Sequence, residues 1–262
     1  MLIAGFLVGL VAGFLGGLVG IGGGVVMTPL MTEILKFRQH EAHGTSLVAV
    51  VFTALAASVV YYMHGSVDII VSVVIAVLAT STVRLGVRYC NLLPEYLLKR
   101  YFGILLLMIS VLLFAKPYLP HLVDADWPNC IGWGMLVIIG ILTGFISGMM
   151  GIGGGTFMVP MMVLFVGIEQ VGAQGISLLS MIPASVLGAW THWKTGNVRP
   201  QIIPGLVVGV LIGAYSGGSF AHCLPEHILR AVFALLLIYT AIRYLQARPA
   251  PISACPAKDA KD

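Results

Sequence analysis

Between Gly44 and Met63, and again between Ile202 and Phe220, the chain carries no charged residue, and other apolar runs of similar length recur along it. Each approaches the ~20 residues that a helix needs to cross the hydrocarbon core of a bilayer. Lipid offers no partner to backbone N–H and C=O groups, so each segment must satisfy its own, as an α-helix does. Composition agrees: 59% of residues are hydrophobic, 9% are charged and the mean hydropathy is +1.01. A soluble domain carries about 25% charged residues. The expected fold is an all-α polytopic membrane protein. The first apolar run has no basic residues ahead of it and belongs to a repeat, so it reads as part of the fold rather than as a secretory signal.

The run Gly20-Ile21-Gly22-Gly23-Gly24 returns as Gly151-Ile152-Gly153-Gly154-Gly155, with Pro29 and Pro160 at the same distance behind. An offset of 131 residues extends the match without a gap. Gly13-Phe14 pairs with Gly144-Phe145, Gly44 with Gly175, Ser46 with Ser177, Gly65 with Gly196, and Leu93-Pro94-Glu95 with Leu224-Pro225-Glu226. Register held over this length is an internal duplication. It divides the chain into a first membrane repeat (1–115), a Pro- and Asp-containing linker (116–130), a second membrane repeat (131–246) and a cytoplasmic tail (247–262) expected to be disordered.

Each half holds four apolar segments, about eight in all. Eight simple crossings would make the halves parallel and divide the basic residues evenly between the two faces, which orients nothing. The alternative is that the first segment of each half is a hairpin, broken at its glycines, that returns to its own side. Lys36, Arg38, Arg84, Arg88, Lys99, Arg100, Lys194, Arg199, Arg243, Arg248, Lys258 and Lys261 then share one face, and only Lys116 and Arg230 lie opposite. Basic loops stay on the cytoplasmic side. Lengths agree, because Val25–Leu35 as a helix is only ~16 Å long against a ~30 Å core. The sequence therefore predicts two inverted-topology repeats with both termini cytoplasmic.

Clustered glycines let the chain take φ > 0 and let a ligand approach the backbone closely. A helix restarting behind them, at about Val25 or Thr156, offers unpaired N–H groups and the positive end of its dipole, which suits an anion. Broken helices at a repeat interface are where secondary transporters commonly bind substrate. The candidate substrate site is therefore Gly20, Gly22, Gly23, Gly24 and Pro29, facing Gly151, Gly153, Gly154, Gly155, Thr156 and Pro160. The other reading of such glycines is close helix packing. Ser46 and Ser177, with Thr45 and Ser180, open the second helix of each half; their hydroxyls either donate to an oxyanion or cap their own helix. His43 and its counterpart Gln174 stand just before them as further donors. His64 and His192, near helix ends, read as interfacial residues or as proton carriers for coupling. Arg84 reads as snorkelling to the interface or as a partner for an entering anion. Trp127, Trp133, Trp190 and Trp193 read as interface anchors, and Glu95 and Glu226 as first-turn acids.

The doubled G-I-G-G-G-x-x-x-x-P, with A-x-G-x-S downstream in each half, resembles the sulfite exporter TauE/SafE family, also known as the 4-toluene sulfonate uptake permeases. The likeness covers about Gly5 to Tyr244. It implies a multi-pass inner (plasma) membrane permease for small anions such as sulfite, sulfonates or other sulfur-containing or organic acids. It also matches the repeated glycines and prolines to the family's motifs. No acidic residue stands in the middle of an apolar segment, which argues against a cation channel or pump and leaves proton or sodium open as the coupling ion. The chain has no GxSxG, no HExxH and no P-loop lysine, and no βαβ context surrounds its glycines, so neither an enzyme nor a cofactor is expected. Cys90, Cys130, Cys223 and Cys255 lack metal-ligand spacing, and His40, His43, His64, His192, His222 and His227 are dispersed. A metal-ion transporter using those histidines, or a membrane scaffold, is the alternative. The basic residues form no stripe, so no nucleic-acid partner is expected.

Overall fold

Helix boundaries fall where glycine, proline or charge interrupts the apolar runs. The computed structural model describes residues 2–90, 100, 103–104, 106–111, 130–150 and 153–246. Most of the expected linker, the expected tail, Glu95, Trp127 and Gly151 lie outside these residues. In chain order the elements are α1 (Leu2–Val19), α2 (Gly24–Ile34), α3 (Gln39–Met63), α4 (Ile69–Cys90), α5 (Cys130–Met150) and α6 (Gly155–Met161), which continues as a π-helical turn (Met162–Val166). They are followed by α7 (Gln170–Lys194), a 3-10 turn (Pro200–Ile202), α8 (Ile203–Ala221) and α9 (Glu226–Leu245). None of the described residues is in a strand. Among them, 7 helices are long and apolar enough to cross a membrane, while α2 and α6 with its π turn are shorter apolar pieces. The chain is an all-α polytopic membrane protein.

Small residues cut the seams between helices and so set their directions. Along α1, Gly5 faces Ile202, Gly9 faces Leu206, Gly13 faces Val210 and Gly17 faces Ala214, so α1 and α8 run parallel. Along α5, Gly140 faces Leu78, Gly144 faces Ala79 and Gly148 faces Val83, so α4 and α5 also run parallel. These are the same seam in the duplicated numbering, α1 against α8 and its counterpart α5 against α4. Between them, α3 and α7 cross in opposite directions: Gly44 meets Asn197, Gly188 meets Leu47, and Gly175 meets Ser66.

This arrangement gives the molecule two ends. At one, which holds Lys36, Arg38, Lys194 and Arg199, the Arg199 guanidinium lies 2.7 Å from Glu41, and its backbone N–H donates to Thr45 Oγ1 at 3.1 Å. This is the basic end. At the opposite end Ser66 Oγ lies 3.2 Å from His222 Nε2, and the rings of His64 and His222 stack at 4.1 Å. Burial pulls the His222 pKa down, its bond to Gly218 pulls it up, and the neighbouring His64 adds to the lowering.

Tyr61 holds three helices together. Its ring is fully buried, and its hydroxyl lies 2.9 Å from Gln174 Oε1 on α7 and 3.1 Å from the Gly17 carbonyl on α1. Removing a buried hydroxyl strands its partners at a cost of about 1–3 kcal/mol. Tyr61→Phe is expected to lower the melting temperature of the detergent-solubilised protein by about 2–4 °C for each kcal/mol lost.

Candidate substrate site

α1 enters from the basic end, reverses at its glycines, and α2 returns to that end. Glu33, in the last turn of α2, pairs with Arg243, and Met27 and Met31 pack in one cluster with Ala42, Ile202 and Leu206. α2 has 11 residues, or ~16 Å, about half of a bilayer core. The reversal needs left-handed backbone: Gly20, Gly22 and Gly23 have φ of 73°, 78° and 77°, and in the second half Gly153 and Gly154 have 91° and 81°. Ile21 N donates to the Gly16 carbonyl at 3.1 Å and closes α1, while the Gly23 carbonyl accepts from Met27 N at 2.9 Å and opens α2. The Gly154 carbonyl does the same for Met158 N at 3.0 Å. The helices restart at Gly24 and Gly155, one residue ahead of Val25 and Thr156.

The two breaks touch. A Cβ on Gly155 would lie 2.7 Å from the Gly20 carbonyl oxygen and 2.9 Å from Ile21 Cα. Gly22 and Gly153 both face Val50 and Met181, which stand about half-way along α3 and α7 and are counterparts in the duplicated numbering. Two helix N-termini therefore begin beside one another at mid-depth, walled by the centres of the two crossing helices.

Polarity around the breaks is unequal. Beside the second, Thr143 Cγ2 and Ser147 Cβ would lie 2.5 and 3.3 Å from a Cβ on Gly154. Thr143, Ser147 and Thr156 are 1–2% exposed, and none of their hydroxyls has a hydrogen-bond partner among the described residues. The stem of Gln174 packs against Gly20, and its amide end meets the Tyr61 hydroxyl. At the first break the matching positions are Ala12, Gly16 and Val25, which carry no hydroxyl. Gly16 packs directly against Gly23 there. Unpaired buried donors are costly, and here they cluster beside one helix start.

The remaining sequence candidates fall as follows. Pro29 and Pro160 lie inside α2 and α6, more than a turn beyond the contact between the breaks. Ser177 Oγ donates to the Gly20 carbonyl at 2.6 Å and pins the first break. Ser46 Oγ donates to the His43 carbonyl at 2.9 Å and accepts from Thr28 at 3.4 Å. Neither serine caps its helix, as the capping alternative required, because α3 and α7 start earlier, behind Arg38 and Glu169. Thr45 and Ser180 are likewise interior, and Ser180 donates to Ser72 and Ile176 carbonyls. Arg84 lines a lateral groove of about 810 Å³ with Phe52, Pro183, Trp190 and Trp193. Thr143 and Ser147 are absent from the candidates that the sequence suggests. Their signal lies in a difference between the repeats, hydroxyls where the first half has Ala12 and Gly16.

Among the described residues no group of 3 or more His, Cys, Asp or Glu side chains comes together as a metal site. A polytopic helical protein whose broken helices meet at mid-depth has the build of a membrane transporter. The chain belongs to the sulfite exporter TauE/SafE family, whose sequence model matches residues 5–245. YdhB of Bacillus subtilis (strain 168), a probable membrane transporter protein, is 25% identical over 229 residues, covering 84% of this chain and 94% of its own. A probable membrane transporter protein of Xylella fastidiosa (strain 9a5c) is 30% identical over 230 residues, covering 86% and 87%. YunE of B. subtilis, named in the same way, is 26% identical over 251 residues, covering 88% and 92%. No solved structure matches this chain significantly. The protein is a multi-pass membrane transporter, not an enzyme.

Proposed function

We propose that the protein is a secondary transporter of a small anion, namely sulfite, a sulfonate or another sulfur-containing or organic acid. The anion is held between the two broken helices while the repeats rock about it in alternating access. One observation carries this reading: the hydroxyls of Thr143, Ser147 and Thr156 are buried without partners among the described residues, beside the start of α6. Neutral donors at the positive end of a helix favour negative charge without a fixed cation that would hold it too tightly to release. The family's description supports sulfite and its chemical relatives as first candidates.

The parallel seams α1–α8 and α4–α5 support inverted repeats, each half presenting its hairpin from the opposite end. With the basic end cytoplasmic, in the plasma membrane, the described lysines and arginines other than Arg230 fall on the cytoplasmic side.

Proteoliposomes loaded with the full chain test the function. Radiolabelled sulfite, an alkyl sulfonate, an aryl sulfonate and simple organic acids are offered with imposed proton or sodium gradients. Flux of at least one, saturable and absent from empty vesicles, is expected; flux of none removes the reading. Thr143→Val, Ser147→Ala and Thr156→Val should each raise the half-saturating concentration about tenfold, the loss of one hydrogen bond to a charged ligand, with thermal stability held. Unchanged saturation in all three moves the site elsewhere.

A further inference from the structure

His192 is a titratable side chain that the proposed anion site leaves without a role. It stands in the last turn of α7 at the basic end and is 4% exposed. Neither ring nitrogen has a hydrogen-bond partner among the described residues. Its position lies on the seam between the halves: a Cβ on Gly44 of α3 would come 3.1 Å from His192 Cβ and would overlap the Asn197 carbonyl. The Arg199–Glu41 pair and the Arg199–Thr45 hydrogen bond close the same seam beside it.

The duplication supplies the comparison. In the 131-residue offset His192 corresponds to Tyr61, and His43 to Gln174. Tyr61 occupies the mirror position on the opposite side of the breaks, and its hydroxyl is bonded to Gln174 and to the Gly17 carbonyl. The same place in the fold is thus filled once by a satisfied phenol and once by an imidazole with no bonding partner among the described residues.

We propose that His192 is the proton-binding site of this transporter, and that proton uptake there opens the basic end. The inference rests on the alternating-access reading above. In the sealed state a second N–H on the ring would find no acceptor among the described residues. The charged and titratable groups around it on α3 are His40, which acts on it electrostatically, His43 and the Glu41 carboxylate already held by Arg199. Lys194 follows on α7 itself, and Arg199 lies on the connection to α8. Apart from Glu41 these are cationic or neutral, so a charged imidazole is relieved only when the seam parts and water enters. By linkage, a state that hydrates the ring binds the proton more tightly, and acid drives the molecule toward that state. One proton would then be taken up with each opening of the basic end.

The test needs no transported substrate. Spin labels at Arg38→Cys and Thr195→Cys, exposed positions on either side of the seam, are placed in the full chain with its native cysteines changed to serine, in lipid nanodiscs. Between about pH 8 and about pH 5.5, the range of histidine titration, the inter-label distance should lengthen by about 5 Å, a shift of one helical turn. His192→Gln, and independently His192→Tyr, should abolish the lengthening, while His40→Gln keeps it. A lengthening that persists in both His192 variants, or none in the parent chain, overturns the assignment. Radiolabelled sulfite exchange in the same preparation reads the transport function separately. A distance change that depends on His192 without sulfite exchange supports the proton site and removes sulfite as the substrate.

Discussion

Gly155→Val is expected to abolish substrate flux, by about 100-fold or more. Gly155 begins α6, and a Cβ there would lie 2.7 Å from the Gly20 carbonyl oxygen and 2.9 Å from Ile21 Cα, both in the other break. Neither is the flexible end of a side chain, so the two breaks must separate. A displacement approaching 1 Å at a site that works by position costs on the order of 10²-fold. Gly23→Val and Gly154→Val should silence flux as well, but with a larger loss of stability. Both glycines are left-handed, which costs an L-residue about 1–2 kcal/mol, and a Cβ on either would lie 2.5 Å from α1 or α5. The control is Gly65→Ala, with φ of 70° and nothing within 4 Å of an added Cβ. It carries the backbone strain alone and should leave flux intact. Measured together in proteoliposomes, full flux in Gly155→Val would remove the meeting of the breaks from the mechanism.

A comparably large effect is expected on folding. Gly13→Leu should yield no stable protein, because its Cβ would lie 2.7 Å from Val210 Cα and 2.8 Å from the Val210 carbonyl oxygen on α8. The obstacle is backbone, so relief requires splitting the seam on which Gly5, Gly9 and Gly17 also depend. Overpacking of this kind costs about 3 kcal/mol or more. Lipid cannot restore the loss, since helices in a membrane associate through close packing rather than through a hydrophobic drive. Gly134→Leu is the matched comparison: nothing lies within 4 Å of its Cβ, and the folded yield after size-exclusion chromatography should equal that of the parent. Equal yields from both variants would show that the α1–α8 seam is not a stability determinant.

The two glycine roles separate what the chain order reveals from what it hides. Glycine does two different things here, at different positions. Gly20, Gly22, Gly23, Gly153 and Gly154 supply left-handed backbone, whereas Gly5, Gly9, Gly13 and Gly17 supply close approach. The left-handed set is recognisable in sequence because five residues cluster and recur. The close-approach set is spaced through ordinary apolar helix, and its partner on α8 is about 200 residues away along the chain. Ser46 and Ser177 show the reverse failure. Their place near a helix start suggests capping, yet α3 and α7 begin several residues earlier, and Ser177 instead donates its proton to the Gly20 carbonyl of the other half.

The membrane class, the all-α fold and the two points at which helices break are legible along the chain, as is the residue match at an offset of 131. These follow from local quantities: charge-free length, φ freedom at glycine, and register along one chain. The packing of the helices sets the rest: the breaks touch at Gly20 and Gly155, the hydroxyls of Thr143, Ser147 and Thr156 that lack partners among the described residues gather beside the second break, and His192 is buried where its counterpart Tyr61 is hydrogen-bonded. Each of those depends on which helix lies against which across the duplicated halves. Hydropathy carries no record of that choice, because lipid-facing and helix-facing residues are equally apolar and only the fit of small residues distinguishes them.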